Sequence, residues 1–184
     1  MRLISASGKD ADEIICGVAD GLNSANIPYL AISTTLGKEF GCGRPFVGYA
    51  IDGDGEAAEG SAEVLLTSAD RIPFFRGFSE GIIILSPDSF GAGCEFKRKG
   101  FVITSQDVNV PQKLRKYPLI SCGMSSKNTV TFSSLRQDGG MICLQRRLCT
   151  LGGKIVEPQE FPVERGGFST LAIFTALLIS DVII

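Results

Sequence analysis

A chain of 184 residues is long enough to bury a proper core, and 44% apolar content excludes an extended disordered polymer. A net charge of −2 argues against a general nucleic-acid binder and against a protein held on an anionic membrane. The absence of histidine removes the commonest general base and the commonest metal ligand.

Residues 2–7 form a short apolar stretch that predicts a strand, followed by Gly8-Lys9-Asp10. Ile14, Ile15, Val18 and Leu22 then recur at near-helical spacing, with Asp10 placed to cap the start and residues 23–26 to close the end. Residues 27–34 read as a second strand. Strand, glycine turn, helix and strand make a βαβ unit, so two neighbouring parallel strands are expected here.

Residues 36–60 are glycine-rich, with a possible strand at 45–51 and an acidic turn at 52–59. Asp52 and Asp54 have calcium-loop spacing, but the remaining ligands and the closing Glu are missing, so no metal is expected. Residues 56–70 have helix-forming composition. The run GIIIL at 81–85, ending in Ser86-Pro87-Asp88, suits a central parallel strand, whose carboxyl end is where an open α/β sheet presents ligands. A short strand is expected around 101–103 and a small helix over 108–116. Residues 117–163 read as an antiparallel meander: strands at 118–122, 129–135 and 141–148, then a Gly152-Gly153 turn into 154–163. The apolar run 168–184 carries Asp181 and falls short of the ~20 apolar residues of a membrane span. It predicts a helix buried against the sheet.

Cys16, Cys42, Cys94, Cys122, Cys143 and Cys149 include no Cys-x-x-Cys pair, which disfavours zinc. Most sit in apolar patterns and are expected to be buried, reduced thiols of a cytoplasmic protein. Lys9 and Asp10 interrupt the start before a signal peptide's apolar core can form. Basic spots at Lys97-Arg98-Lys99, at Lys113, Arg115 and Lys116, and at Arg146-Arg147 read as solvated loops and strand edges.

Two readings compete for Ser7, Gly8, Lys9 and Asp10. Strand, Gly-Lys and helix is the placement of a phosphate-binding loop, in which successive amides and a Lys face the phosphates and a hydroxyl holds Mg²⁺. Leu3, however, stands where that pattern has its first glycine, and Asp10 stands where the hydroxyl belongs. The other reading is a capped helix start with a surface lysine.

The order of these pieces resembles the central, ATP-binding domain of the Mur ligase family, the ATP-dependent amino-acid ligases of peptidoglycan synthesis. Residues 4–10 (ISASGKD) are similar to that family's TGTNGKT loop, and residues 30–37 (LAISTTLG) to the strand and GTxG turn that follow. Residues 81–89 (GIIILSPDS) resemble the strand ending in NADD, with Asp88 kept and Ser86 in place of Asn. Residues 119–135 resemble the segment ITYGF…ADVTASNI. Residues 152–163 and 166–184 resemble the hairpin and the GxHNxxNALAAIAAAL helix.

The resemblance implies a three-layer α/β fold in a single domain over residues 1–184, with a mostly parallel sheet and an antiparallel meander. The departures bear on chemistry. Ser5 replaces the loop's first Gly, Ser7 its Asn and Asp10 its Thr; Phe168, Ser169 and Ala172 replace the His, Asn and Asn of the closing motif. The family's middle segment, which carries a catalytic Glu, a metal-binding His and a carbamylated Lys, is shortened to residues 52–71. Its amino-terminal UDP-sugar domain and carboxy-terminal amino-acid domain have no counterpart. Ligation through an acyl phosphate needs Mg²⁺ and phosphate clamps. The expected function is therefore a non-catalytic module that binds another protein or itself, with no nucleic-acid or membrane partner and no cofactor. The alternative is a protein that still binds ATP and Mg²⁺, at Ser7, Gly8, Lys9, Asp10 and Asp88, or a residual ligase. A third reading, a thiol redox sensor, rests on Cys94 beside Lys97.

Overall fold

The computed structural model describes residues 1–33, 38–40, 63–69, 71–72, 77–91, 95–136, 139–164 and 166–183. The strands are β1 (Arg2–Ser7), β2 (Tyr29–Ser33), β3 (Lys38–Phe40), β4 (Val64–Ala69), β5 (Arg71–Ile72), β6 (Glu80–Leu85), β7 (Phe90–Gly91) and β8 (Lys99–Ser105). They continue with β9 (Leu119–Cys122), β10 (Val130–Arg136), β11 (Gly139–Leu144), β12 (Leu148–Cys149), β13 (Ile155–Val156) and β14 (Glu160–Val163). The helices are α1 (Ala11–Ser24) and α2 (Phe168–Ile179).

Among the described residues, ten strands form one sheet in the order β14-β11-β10-β9-β8-β6-β1-β4-β2-β3. The block from β2 through β4, β1, β6 and β8 to β9 is parallel throughout. The fold is therefore α/β with a mostly parallel sheet. Side chains alternate across β1. Ile4 and Ala6 face the cluster built with α1 and α2, and Leu3 faces a second cluster with Leu65, Ile83, Leu85 and Val102. That second face is covered by Phe78, Val110 and Leu114 from connecting segments, so the layer there is a 3₁₀ turn (Gln112–Leu114) and loops among the described residues. The turn is all that forms of the helix expected over 108–116, since Pro111 opens it and Pro118 follows.

Each helix follows from its apolar stripe. Ile14, Ile15, Val18 and Leu22 of α1 are completely buried, each stabilising the fold by about 2 kcal/mol. Both helices end in a Schellman motif whose left-handed residue is not glycine. Asn26 (φ 57°) ends α1, with Ile27 N donating to Leu22 O and Asn26 N to Asn23 O. Asp181 (φ 64°) ends α2, with Val182 N donating to Leu177 O and Asp181 N to Leu178 O. The helices pack on each other through Gly17, where a Cβ would collide with Ile173, and Gly21, where one would lie 2.5 Å from Leu177 Cδ1. Neither helix is long and apolar enough to cross a membrane, among the described residues.

Four expectations need correction. The first βαβ unit exists, but its strands are not neighbours: β4 pairs with both β1 and β2 and separates them. Residues 64–69, expected within a helix, are that strand. VLLTSA is buried on both faces, which erases the alternation that marks a half-buried strand. The meander is also less regular than expected. β10 pairs with β11, and β11 with β14, antiparallel, but β9 and β10 are parallel and meet at the single pair Cys122↔Val130. After β9 the chain makes a short loop, tied by Thr129 N to Ser121 O at 2.9 Å, and runs on in the same direction. Residues 148–156 form a separate hairpin, β12–β13, rather than the ends of longer strands. Finally, α1 starts at Asp10 without a side-chain cap from it. The strand expected at 45–51 and the acidic turn with Asp52 and Asp54 lie outside the described residues.

Candidate functional site

The carboxyl ends of β1 and β6 lie side by side, with Ser7 opposite Leu85. From β1 the chain builds β2 and β4 on one side and then β6 and β8 on the other. This change of direction is the switch point at which open α/β sheets leave a crevice for ligands. The β1–α1 turn carries Gly8, Lys9 and Asp10 to this point, and the segment after β6 brings Ser86, Pro87 and Asp88. All five predicted site residues are thus gathered at one end of two adjacent strands.

Their geometry is closed. Ser86 N donates to Ser7 O at 2.9 Å, and Lys9 N donates to Pro87 O at 3.1 Å. Asp10 N donates to Ser86 Oγ at 3.3 Å, and Ala11 N donates to Gly8 O at 3.2 Å. The amides of Lys9, Asp10 and Ala11, which lead the chain into α1, are thus each satisfied within the chain. Gly8, at φ +101°, takes a conformation suited to glycine, and a Cβ on it would lie 2.5 Å from Ser86 Oγ and 2.6 Å from Pro87 O. Ser7 is fully buried, and its hydroxyl has no partner among the described residues. Lys9 and Asp88 are exposed, Asp88 in the left-handed region at φ 64°.

The electrostatics point the same way. Asp10, Asp12 and Glu13 crowd the first turn of α1, where their charges suit the positive end of the helix dipole. Asp12 also accepts a hydrogen bond from Ser68 at the end of β4. With Asp88 nearby, the carboxylates outnumber Lys9. A polyphosphate approaching this end meets net negative charge unless a divalent cation screens it.

Sequence reasoning missed the part played by Ser86, whose buried hydroxyl accepts from Asp10 N and donates to Pro87 O at 3.3 Å. No local signal links residues 76 positions apart.

The thiols divide. Cys122 is fully buried against Thr175, and burial pushes its pKa up to about 12, partly offset by the Thr175 hydroxyl. Cys16 is raised by partial burial first, then by Asp12 and Asp20. Cys149 is exposed, which corrects the expectation of buried cysteines at that position. Cys42 and Cys94, and with Cys94 the redox-sensor reading, lie outside the described residues.

Comparison with protein-family models gives no match, and comparison with curated proteins gives none. Among solved structures the chain is similar to a murein peptide ligase from Psychrobacter arcticus, at 10% identity with a TM-score of 0.49. That alignment covers 97% of this chain and 44% of the ligase, so the chain spans less than half of that protein's length.

Proposed function

We propose that this chain is a Mur-ligase-like module that acts by binding rather than by ligation, and that it works in the cytoplasm. One observation carries the reading: the β1–α1 turn, the counterpart of a phosphate loop in the sequence, has the amides of Lys9, Asp10 and Ala11 taken up by Pro87, Ser86 and Gly8. A loop that hydrogen-bonds its own neighbours must break those bonds before it can hold a phosphate. The substitutions Ser5, Ser7 and Asp10 in the loop, and Phe168, Ser169 and Ala172 in the closing helix, support the same conclusion. Titration calorimetry with ATP and Mg²⁺ tests it. No heat and no rise in Tm is the expected result; binding with a rise in Tm overturns it.

In this reading the partner is a protein, with a second copy of the chain as the specific case. β14 ends the sheet, and a groove of about 540 Å³ runs between it and α2, walled by Phe161, Val163, Ile173, Phe174 and Leu177. Pro162 removes a donor from this edge and Glu160 and Glu164 charge it, devices that discourage strand pairing. Contact between copies is therefore by apolar packing. Light scattering across a concentration series checks this, and a monomer mass at the highest concentration removes self-association.

A second reading, an ATP- or phosphate-binding protein with Mg²⁺, draws on Lys9 and Asp88, both exposed at the switch point. The same calorimetry decides between the two.

A further inference from the structure

The opposite end of the sheet holds a different kind of recess. At the amino ends of β8 and β9 a cavity of about 420 Å³ opens between Phe96, Phe101, Tyr117 and Pro118. Glycines make room for its inner wall. A Cβ at Gly100 or at Gly81 would collide with the Phe96 ring, so both adjacent strands need the small residue for Phe96 to lie on the sheet. Phe96 is fixed in turn: its N–H donates to Tyr117 Oη at 2.9 Å, and the two rings meet edge to face at 5.4 Å between centroids. The aromatic walls are thus rigid and set before any ligand arrives.

Three cations rim the same cavity. Lys99 is spent as a strut: its ammonium donates to Thr150 O at 2.5 Å, Leu151 O at 3.4 Å and Cys149 Sγ at 3.5 Å, pinning the β12–β13 hairpin. Lys116 lies 5.2 Å over the Tyr117 ring and pairs with Glu95 at 3.6 Å, both side chains more than half exposed. Arg98 has its backbone N–H on Ser79 O at 2.8 Å, while its exposed guanidinium is engaged by no described residue. Among the described residues, Glu95 offsets Lys116 and Glu80, beside Lys99, pairs with Arg2, so Arg98 and Lys99 leave the rim cationic, and the planar fork of Arg98, engaged by no described residue, suits a carboxylate or phosphate. The size is that of a small-molecule site.

We propose that this recess binds a small anion with a flat aromatic body, an aryl carboxylate or aryl phosphate: the ring lies against Phe96 and Tyr117 and the anionic group meets Arg98 and Lys116. The site is separate from the switch point, at the other end of the strands. Cys149, in the lining and exposed, is a built-in reporter.

The test is alkylation of the intact protein by iodoacetamide, a neutral reagent, followed residue by residue with mass spectrometry, with phenyl phosphate as probe. Phenyl phosphate is expected to slow modification of Cys149 and leave Cys143 unchanged. Arg98→Ala is expected to weaken the protection about tenfold, the loss of one charge-assisted contact. Lys116→Gln, at a second exposed position, gives a weakening of the same sign. An unchanged Cys149 rate at saturating probe overturns the proposal. So does equal protection by inorganic phosphate, or full retention of affinity by both variants.

Discussion

The two ends of the parallel sheet handle backbone and charge in opposite ways. At the carboxyl ends, the β1–α1 turn and the segment after β6 satisfy one another: Lys9 N on Pro87 O, Asp10 N on Ser86 Oγ, Ser86 N on Ser7 O. The side chains left over are mostly acidic. At the amino ends, the Phe96 and Tyr117 rings are fixed against each other, and the Arg98 guanidinium is engaged by no described residue. A site is made less by where a motif falls in a chain than by which donors remain unpaired after folding. The end that looks like a phosphate loop in sequence spends the amides of Lys9, Asp10 and Ala11 on its own chain, while at the end with no motif the Arg98 guanidinium is engaged by no described residue.

The largest predicted effect probes the closed end. Gly8→Ala places a Cβ 2.5 Å from Ser86 Oγ on a backbone at φ +101°, and is expected to destabilise by about 2–4 kcal/mol through clash and strain together. Urea unfolding measures it. A cost below about 1 kcal/mol would mean that the turn and the Ser86–Pro87 segment separate easily, and the contrast between the ends would weaken.

Lys99→Met probes the other end. It removes the ammonium from two hairpin carbonyls and is expected to cost about 1–2 kcal/mol. Amide hydrogen exchange should show faster opening over residues 148–156, with the β1–α1 turn unaffected. Faster exchange at Lys9 and Asp10 as well would show that the ends are coupled.

Cys122, on β9 beneath α2, supplies a pH test that lies between the two. Its folded pKa of about 12 stands above a thiol's ordinary value of 9.0, so the native state holds the proton more tightly. The stability it contributes is present below about pH 9 and is lost as pH rises towards 12. Cys122→Ala should flatten the stability curve above pH 9, whatever it costs at neutral pH. An unchanged alkaline slope would assign that loss to other groups.

The smallest effect is expected on the surface hairpin. Arg147 and Glu157 pair at 3.1 Å with both side chains more than 60% exposed, so Arg147→Ala should change stability by less than about 0.5 kcal/mol. A larger loss would give the hairpin a part in holding the amino-end recess together.

How much was legible follows from what each residue senses locally. The extents of β1, α1, β6 and α2 were readable because apolar periodicity and turn residues are properties of adjacent positions. β4 was not, because a strand buried on both faces has no alternation, and its place between β1 and β2 is a matter of pairing with partners distant in sequence, such as Arg2 with Val64 and Tyr29 with Val64. The meander's irregularity was hidden too: Thr129 reaches back to Ser121 only once β9 is in the sheet. All five predicted site residues came together as strand-end positions do. That the Lys9 and Asp10 amides are consumed depends on Pro87 and Ser86, which are distant from them in sequence. The amino-end recess had no signature beyond a basic spot at residues 97–99.

Length, charge and the spacing of apolar residues were enough to dictate an α/β chain with a Gly-Lys turn entering its first helix. Strand order, the self-satisfied turn and the cationic aromatic recess were decided only by folding. Each depends on which backbone donors and side chains from distant segments arrive within hydrogen-bond reach of one another, and local propensity carries no record of that.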